Sequence, residues 1–149
     1  MFCGAPADRN SVDAIISEMT QPAINLCGKI SLGGLAALIS AARLVIGPDT
    51  GPLHLARAVS TPTVGMYWAP NLINWGPLTR KLHVPLISWN LPCPLCGIIP
   101  NEPYPFEPTG NCSHAVSFVR DIHVEEVLRA VENILSTENQ LTGVQLPDN

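Results

Sequence analysis

The sequence predicts an α/β fold of three layers, in which helices cover both faces of a parallel sheet. Short apolar runs of strand length recur along the chain, at residues 1–3, 23–27, 44–46, 63–67 and 83–87. Segments with the apolar spacing of a helix lie between the earlier runs, and turn residues separate the two kinds of segment. Strands that alternate with helices run parallel, because each helix returns the chain to the edge from which the next strand starts.

Four segments are predicted to be helical, because each repeats apolar residues three or four positions apart. They are 11–19, the stretch from the cap residue Ser31 to about 42, 52–59 and 124–135. Residues 68–77 are expected to form an aromatic, proline-bearing loop. Residues 89–113 carry six prolines and three cysteines with no regular period, so this segment is expected to be irregular.

The length of 149 residues suits one domain with a real core. Residues 1–136 are predicted to form that domain, and the polar residues 137–149 a flexible tail. The chain opens on a run that resembles the end of a strand. We therefore expect an N-terminally truncated domain, or one half of a larger protein.

The composition argues against several classes of function. The formal net charge is −4 and the eight Lys and Arg residues are scattered, which disfavours a nucleic-acid-binding domain. No run of about 18 apolar residues is present, so no transmembrane segment is predicted. Five cysteines without a secretion signal indicate reduced thiols in a cytoplasmic protein.

The strongest functional signal follows the apolar run at 44–46. A polar turn leads into Pro52, a residue suited to the first turn of a helix. A junction of strand, turn and helix presents backbone N–H groups and the positive end of a helix dipole, so it can bind a phosphate. Gly51 allows a ligand to approach the backbone, while Asp49, Thr50 and His54 add a carboxylate, a hydroxyl and an imidazole.

Several short motifs, in matching order and spacing, resemble the C-terminal half of the family 9 glycosyltransferases, the lipopolysaccharide heptosyltransferases. The resemblance covers residues 1 to about 136. Its motifs are Gly4-x-x-x-Asp8, Gly28-Lys29-Ile30-Ser31-Leu32, Ala42-Arg43-Leu44-Val45-Ile46-Gly47, Asp49-Thr50-Gly51-Pro52-Leu53-His54-Leu55-Ala56, Trp75-Gly76-Pro77, the Cys93/Cys96 pair and Arg120-Asp121-Ile122. The motif that begins at Asp49 is the most specific of them.

The resemblance implies the Rossmann-like donor-binding half of a two-domain GT-B enzyme that uses a nucleotide sugar, typically ADP-heptose. Thr50 and Gly51 would offer backbone N–H groups to the diphosphate, with Pro52 in the same turn. Asp49 would be the catalytic residue beside the transferred sugar, and His54 would support the diphosphate site. Such enzymes invert the anomeric carbon, and no metal or other cofactor is expected.

The remaining donor-binding residues implied by the resemblance precede that turn. Asp8 would hold the ribose hydroxyls, and Ile30 would contact the base, with Ser31 beside it. The acceptor would be a lipid-linked glycan, bound through an N-terminal domain that is missing here. The expected location is cytoplasmic, with peripheral binding at the inner membrane as a further option. Alone, the chain is expected to bind nucleotide weakly and not to transfer sugar.

Two other functions stay open at this point. One is a non-catalytic module that binds nucleotide sugars or serves as a subunit. The other is a metal or redox module, because Cys93, Cys96, Cys112 and His114 supply three thiols and an imidazole, a set that zinc can bind. The Cys93/Cys96 pair also has the spacing of a redox pair, and buried thiols that pin a loop are a third reading.

Overall fold

The computed structural model describes residues 1–100 and 112–142, with side chains up to residue 137. The chain divides into two compact units, Met1–Ala42 and Arg43–Asn149, and each is described by itself. Part of the predicted irregular segment and of the predicted tail falls outside the described residues.

The first unit contains a 3₁₀ turn and two helices, at Pro6–Asp8, α1 (Arg9–Glu18) and α2 (Leu32–Ser40). The prediction that Ser31 caps α2 is confirmed, since its Oγ accepts a hydrogen bond from the Gly34 backbone N–H at 3.1 Å. The strands predicted at 1–3 and 23–27 are reduced to one parallel bridge between Phe2 and Asn25.

The second unit contains the sheet. Its strands are β1 (Val45–Pro48), β2 (Thr63–Trp68) and β3 (His83–Ser88), in the order β1-β2-β3. Both pairings are parallel, with Val45 opposite Thr63 and Thr63 opposite His83. The predicted α/β class with a parallel sheet is therefore confirmed, and β2 is the buried central strand.

Three helices flank this sheet, α3 (Gly51–Ala58), α4 (Ala69–Trp75) and α5 (Val124–Thr142). The prediction of a loop at 68–77 was wrong, because α4 occupies most of it. Pro70 lies in the first turn of α4, where its missing N–H removes no helical hydrogen bond. The last helix begins where expected and continues to Thr142, past the predicted tail boundary at residue 136.

Close packing against β2 determines how near α3 lies to the sheet. Leu53 of α3 is 1% exposed, and Val64 of β2 is fully buried. A Cβ atom added to Gly65 would lie 2.7 Å from Leu53 Cδ2 and 2.6 Å from Tyr67 Cε2. Only glycine at this position allows the helix to approach so closely, so Gly65 sets the position of the turn between β1 and α3.

The described part of the irregular segment is anchored to the sheet by Trp68. The indole Nε1 donates a hydrogen bond to the Asn90 carbonyl at 2.9 Å. The same ring packs against Phe118, with ring centroids 4.8 Å apart. Residues 89–100 and 112–113, the described part of the segment predicted to be irregular, contain no helix or strand, and neither do residues 114–123.

Candidate functional site

The turn at residues 49–52, between β1 and α3, is called here the donor loop, after the donor-binding role that the sequence resemblance predicts for it. The Asp49 backbone N–H donates to the Met66 carbonyl at 3.1 Å, which ties the loop to the central strand. Thr50 is the N-cap of α3, and its carbonyl accepts from the N–H groups of Leu53 and His54. The donor loop thus lies at the carboxyl end of β1, the edge at which parallel sheets bind ligands.

Two backbone donors of the loop are free to bind a ligand. Within the described residues, the N–H groups of Thr50 and Gly51 have no acceptor, and Pro52 has no N–H. Thr50 and Gly51 are exposed, and a Cβ added to Gly51 would meet no atom within 4 Å. These two groups lie at the positive end of the α3 dipole, a position that favours an anion, and their binding of a diphosphate stays a prediction.

The Asp49 side chain is buried beside these donors, with only 9% of it exposed. Its Oδ1 atom lies 3.0 Å from His54 Nε2, within the distance of an ion pair, but the contact does not have the geometry of a hydrogen bond. Oδ1 is therefore a buried acceptor with no aligned donor in the described chain. A buried acceptor of this kind normally has a hydrogen-bond partner, and a ligand hydroxyl would supply one.

The contact between Arg57 and His54 assigns the tautomer of the imidazole. Arg57 Nη1 lies 3.3 Å from His54 Nδ1. Because a guanidinium only donates, Nδ1 acts as the acceptor and the ring proton is assigned to Nε2, the atom nearest Asp49. His54 is thus placed between a cation and a carboxylate, and 39% of its side chain remains exposed.

Arg57 was missed in the sequence analysis. Its guanidinium donates to the Trp75 carbonyl at 2.7 Å and to the Gly76 carbonyl at 3.0 Å, at the C-terminal end of α4. A cation at this end of a helix is favourable. The three-residue spacing from His54 places both side chains on one helix face and was the available signal.

Two polar side chains of the sheet, Tyr67 of β2 and His83 of β3, lie close enough to Arg57 to respond to its charge. Tyr67 Oη lies 3.4 Å from Arg57 Nη1, and burial raises the pKa of the phenol although Arg57 lowers it in part. His83 Nδ1 lies 3.0 Å from Thr63 Oγ1, and burial together with the charge of Arg57 lowers the pKa of the imidazole. An open groove of about 380 Å³ runs along this face, lined by His54, Arg57, Ala58, Leu78, Thr79 and His83.

Comparison with known protein families shows to which family the chain belongs. Residues 1–95, nearly two thirds of the sequence, match the family model of "Glycosyltransferase family 9 (heptosyltransferase)", and this range contains the whole donor loop. The chain belongs to glycosyltransferase family 9.

Individual members of family 9 agree with this assignment. The lipopolysaccharide core heptosyltransferase OpsX of Haemophilus influenzae is 38% identical over 86 residues, which cover 56% of this chain and 25% of that protein. Lipopolysaccharide heptosyltransferase 3 of Escherichia coli K12 is 39% identical over 84 residues, 55% of this chain and 24% of that protein. The chain thus spans about a quarter of the length of these relatives.

A solved structure of a family 9 glycosyltransferase, from Veillonella parvula, supports the same fold. It is 31% identical, with a TM-score of 0.53, and the match covers 58% of this chain and 25% of the other. Within the described residues of this family 9 chain, no helix is both long and apolar enough to cross a membrane.

The other predicted donor-binding residues of this family 9 chain lie in the first unit. Asp8 Oδ2 already accepts a hydrogen bond from the Ala5 backbone N–H at 2.7 Å, and the residue is exposed. Ser31 uses its hydroxyl to cap α2, and Ile30 is half-buried. The assignment of Asp8, Ile30 and Ser31 to a nucleoside therefore stays a prediction.

The four candidate metal ligands of this family 9 chain, called here the cysteine cluster, converge in the second unit. The ligand atoms of Cys93, Cys96, Cys112 and His114 all lie within 4.8 Å of one another. Burial raises the pKa of the Cys93 thiol, but hydrogen bonds from the backbone of Leu95 and Cys96 outweigh it and lower the pKa to about 6. The family match ends at residue 95, before three of these four residues.

Proposed function

We propose that this chain provides the nucleotide-sugar-binding part of an inverting glycosyltransferase. The observation that carries the proposal is the pairing of two unlike groups in the donor loop. Free N–H groups of Thr50 and Gly51 suit an anion, whereas the buried carboxylate of Asp49 does not. A nucleoside diphosphate sugar offers both partners, since its diphosphate is an anion and its sugar carries hydroxyl donors.

The donor we propose is ADP-heptose. Support comes from the names of the relatives, two of which are lipopolysaccharide heptosyltransferases. The diphosphate would sit on Thr50 and Gly51 at the α3 N-terminus, and His54 would support that site from the first turn of the helix. Backbone dipoles aimed at the departing diphosphate would offset the charge that develops as the glycosidic bond to it breaks.

Asp49 is the residue we propose beside the transferred sugar. A carboxylate next to a diphosphate would repel it, so the favourable position for the ligand is one that directs a sugar hydroxyl at Oδ1 and the phosphates at the N–H groups. Held in this way, the anomeric carbon would face the open side of the loop. Positive charge that develops there in the transition state would be stabilised by the buried carboxylate.

The acceptor we propose is a lipid-linked glycan of lipopolysaccharide assembly, at the cytoplasmic side of the inner membrane. The chain spans about a quarter of its relatives, and the residues proposed here all belong to the donor side. We therefore expect the 149-residue chain alone to bind donor without transferring sugar. Glycosyl transfer by the purified chain would contradict this part of the proposal.

Isothermal titration of the full chain with ADP and with ADP-heptose tests the assignment. Asp49→Asn should weaken ADP-heptose binding about tenfold, the loss of one hydrogen bond to a charged group, and leave ADP binding unchanged or tighter. Gly51→Val should weaken both ligands, because its side chain would occupy the space in front of the free N–H groups.

Gly47→Ala is the matched control for Gly51→Val. A Cβ at Gly47 also meets no atom within 4 Å, but this position lies within β1 and before the donor loop. The control should bind both ligands as the wild type does. Wild-type affinity in both Asp49→Asn and Gly51→Val would overturn the proposal, and so would equal losses for ADP and ADP-heptose in Asp49→Asn.

A further inference from the structure

Three distances within the cysteine cluster are close to those of a tetrahedral site, and all four ligand atoms lie within 4.8 Å of one another. Cys96 Sγ lies 3.7 Å from Cys112 Sγ. His114 Nδ1 lies 3.8 Å from Cys93 Sγ and 3.7 Å from Cys112 Sγ. With Zn–S bonds of about 2.3 Å and a Zn–N bond of about 2.0 Å, a tetrahedron separates two sulfurs by about 3.8 Å and a sulfur from a nitrogen by about 3.5 Å.

The backbone around the first two cysteines is also shaped to present them. Gly97 has a φ of 75°, a conformation that favours glycine. This turn lets the Gly97 N–H donate to the Cys93 carbonyl at 2.8 Å, while the Cys93 N–H donates to the Ile98 carbonyl at 2.7 Å. The result is a tight hairpin that directs both sulfurs of the Cys-x-x-Cys motif to one point.

A disulfide does not account for this arrangement. All five cysteines carry free thiols, and the 3.7 Å between Cys96 Sγ and Cys112 Sγ far exceeds the bond length of about 2.05 Å. Hydrophobic burial does not account for it either, since Cys96 and His114 are exposed. Neither a disulfide nor burial in the core therefore explains why three thiols and an imidazole nitrogen converge here.

We propose that Cys93, Cys96, Cys112 and His114, the last through Nδ1, bind one structural Zn²⁺ ion. Four protein ligands complete a tetrahedron and leave no position for water or substrate, which is the mark of a structural site. The ion would join the 93–97 hairpin to residues 112–114 and so fix the approach to α5. This inference does not depend on the proposed donor or on the donor loop.

A structural ion also explains how the irregular segment is held. Residues 89–100 and 112–123 have no strand or helix, and Trp68 attaches them to β2 through its contacts with Asn90 and Phe118. Cys93 is 1% exposed, so one ligand lies inward while Cys96 and His114 lie at the surface. Metal binding would then supply the ordering free energy that hydrophobic burial supplies elsewhere.

Elemental analysis of the full chain tests the site. The protein should be produced without a polyhistidine tag and purified without added metal, and it should contain about one zinc per chain. Cys112→Ser should lose most of that zinc. Cys3→Ser, which removes an exposed thiol outside the cluster, should retain it.

Cobalt substitution keeps the test decisive if Cys112→Ser does not fold. The wild-type chain, stripped of metal and titrated with Co²⁺, should show the intense visible bands of a tetrahedral ion and sulfur-to-cobalt charge transfer. Zinc X-ray absorption should give three sulfur ligands and one nitrogen. A folded wild-type chain that is metal-free and gives only a weak octahedral cobalt spectrum would overturn the proposal, as would a Cys93–Cys96 disulfide found by mass spectrometry.

Discussion

The donor loop and the cysteine cluster both follow a strand of the same parallel sheet, but different forces place their atoms. Packed elements determine the geometry of the donor loop. The Asp49 N–H is hydrogen-bonded to β2, and α3 packs closely against Gly65. The cysteine cluster lies in a segment without helix or strand, where a short hairpin and the converging side chains place its atoms. One site therefore depends on the fold, and the other maintains part of the fold.

The two sites should differ in how much of their local structure remains after the ligand is removed. A loop built from backbone N–H groups keeps its shape without ligand, because hydrogen bonds and buried apolar contacts hold it. The segment of the cysteine cluster has less support of this kind, namely the hairpin hydrogen bonds and the Trp68 contacts, so it should loosen when the metal is removed. The following predictions test this contrast.

Removal of metal should produce the largest effect, and it should be local. A strong chelator should speed amide hydrogen exchange in peptides from 89–100 and 112–123 by about tenfold or more, since the cluster is the main constraint there. Peptides that contain the donor loop should exchange at an unchanged rate. Mass spectrometry of the exchanged peptides measures both regions at once, and uniform loosening of the sheet would contradict the contrast.

Gly65→Ala should give the next largest effect, a loss of stability in the sheet and helix that support the donor loop. The added methyl group would overlap Leu53 and Tyr67, so the free energy of unfolding should fall by about 1–3 kcal/mol. Gly47→Ala, where the methyl group meets open space, should cost much less. Urea denaturation of both variants checks the pair, and equal losses would show that α3 does not depend on this close approach.

The elements recovered from the sequence are those whose signals are local. The strand at 44–46, the donor loop, the start of α5 and the Ser31 cap each depend on residues a few positions apart. The α4 helix is not evident from the sequence, because Pro70 is as typical of a loop as of a first helical turn.

The features that the sequence does not predict depend on contacts between residues far apart in the chain. Arg57 donates hydrogen bonds to carbonyls 18 and 19 residues away, and no local sequence pattern predicts such contacts. The contact between Cys93 and His114 likewise joins residues 21 positions apart in the sequence. The strands predicted at 1–3 and 23–27 shrink to a single bridge, because an apolar run does not determine how many residues pair.

Arg57→Lys should have a moderate effect. Lysine cannot reproduce the fork that reaches the Trp75 and Gly76 carbonyls, so we expect a loss of about 1 kcal/mol in the free energy of unfolding. Arg80→Lys is the matched control, because Arg80 is exposed. Thermal or urea unfolding compares the two, and an unchanged Arg57→Lys variant would mean that α4 is held without this contact.

The pH dependence of His83 should be the smallest effect. Because the pKa of this imidazole is lowered by folding, the unfolded chain takes up a proton first as the pH falls. Its contribution to stability is thus present above a pH of about 6.5 and is lost as the pH falls through the lower pKa of the folded state. The stability of the wild type relative to His83→Asn should therefore decline on acidification, and a flat difference would contradict this.

The most direct test of the donor loop is a ¹H–¹⁵N NMR titration of the full chain with ADP, with the cysteine cluster as an internal reference. We expect the largest chemical-shift changes at the amides of Thr50 and Gly51, while the signals of the Cys96 and Gly97 amides should not move. Changes centred on the cysteine cluster, or none at millimolar ADP, would contradict the claim that the α3 N-terminus binds a nucleoside diphosphate.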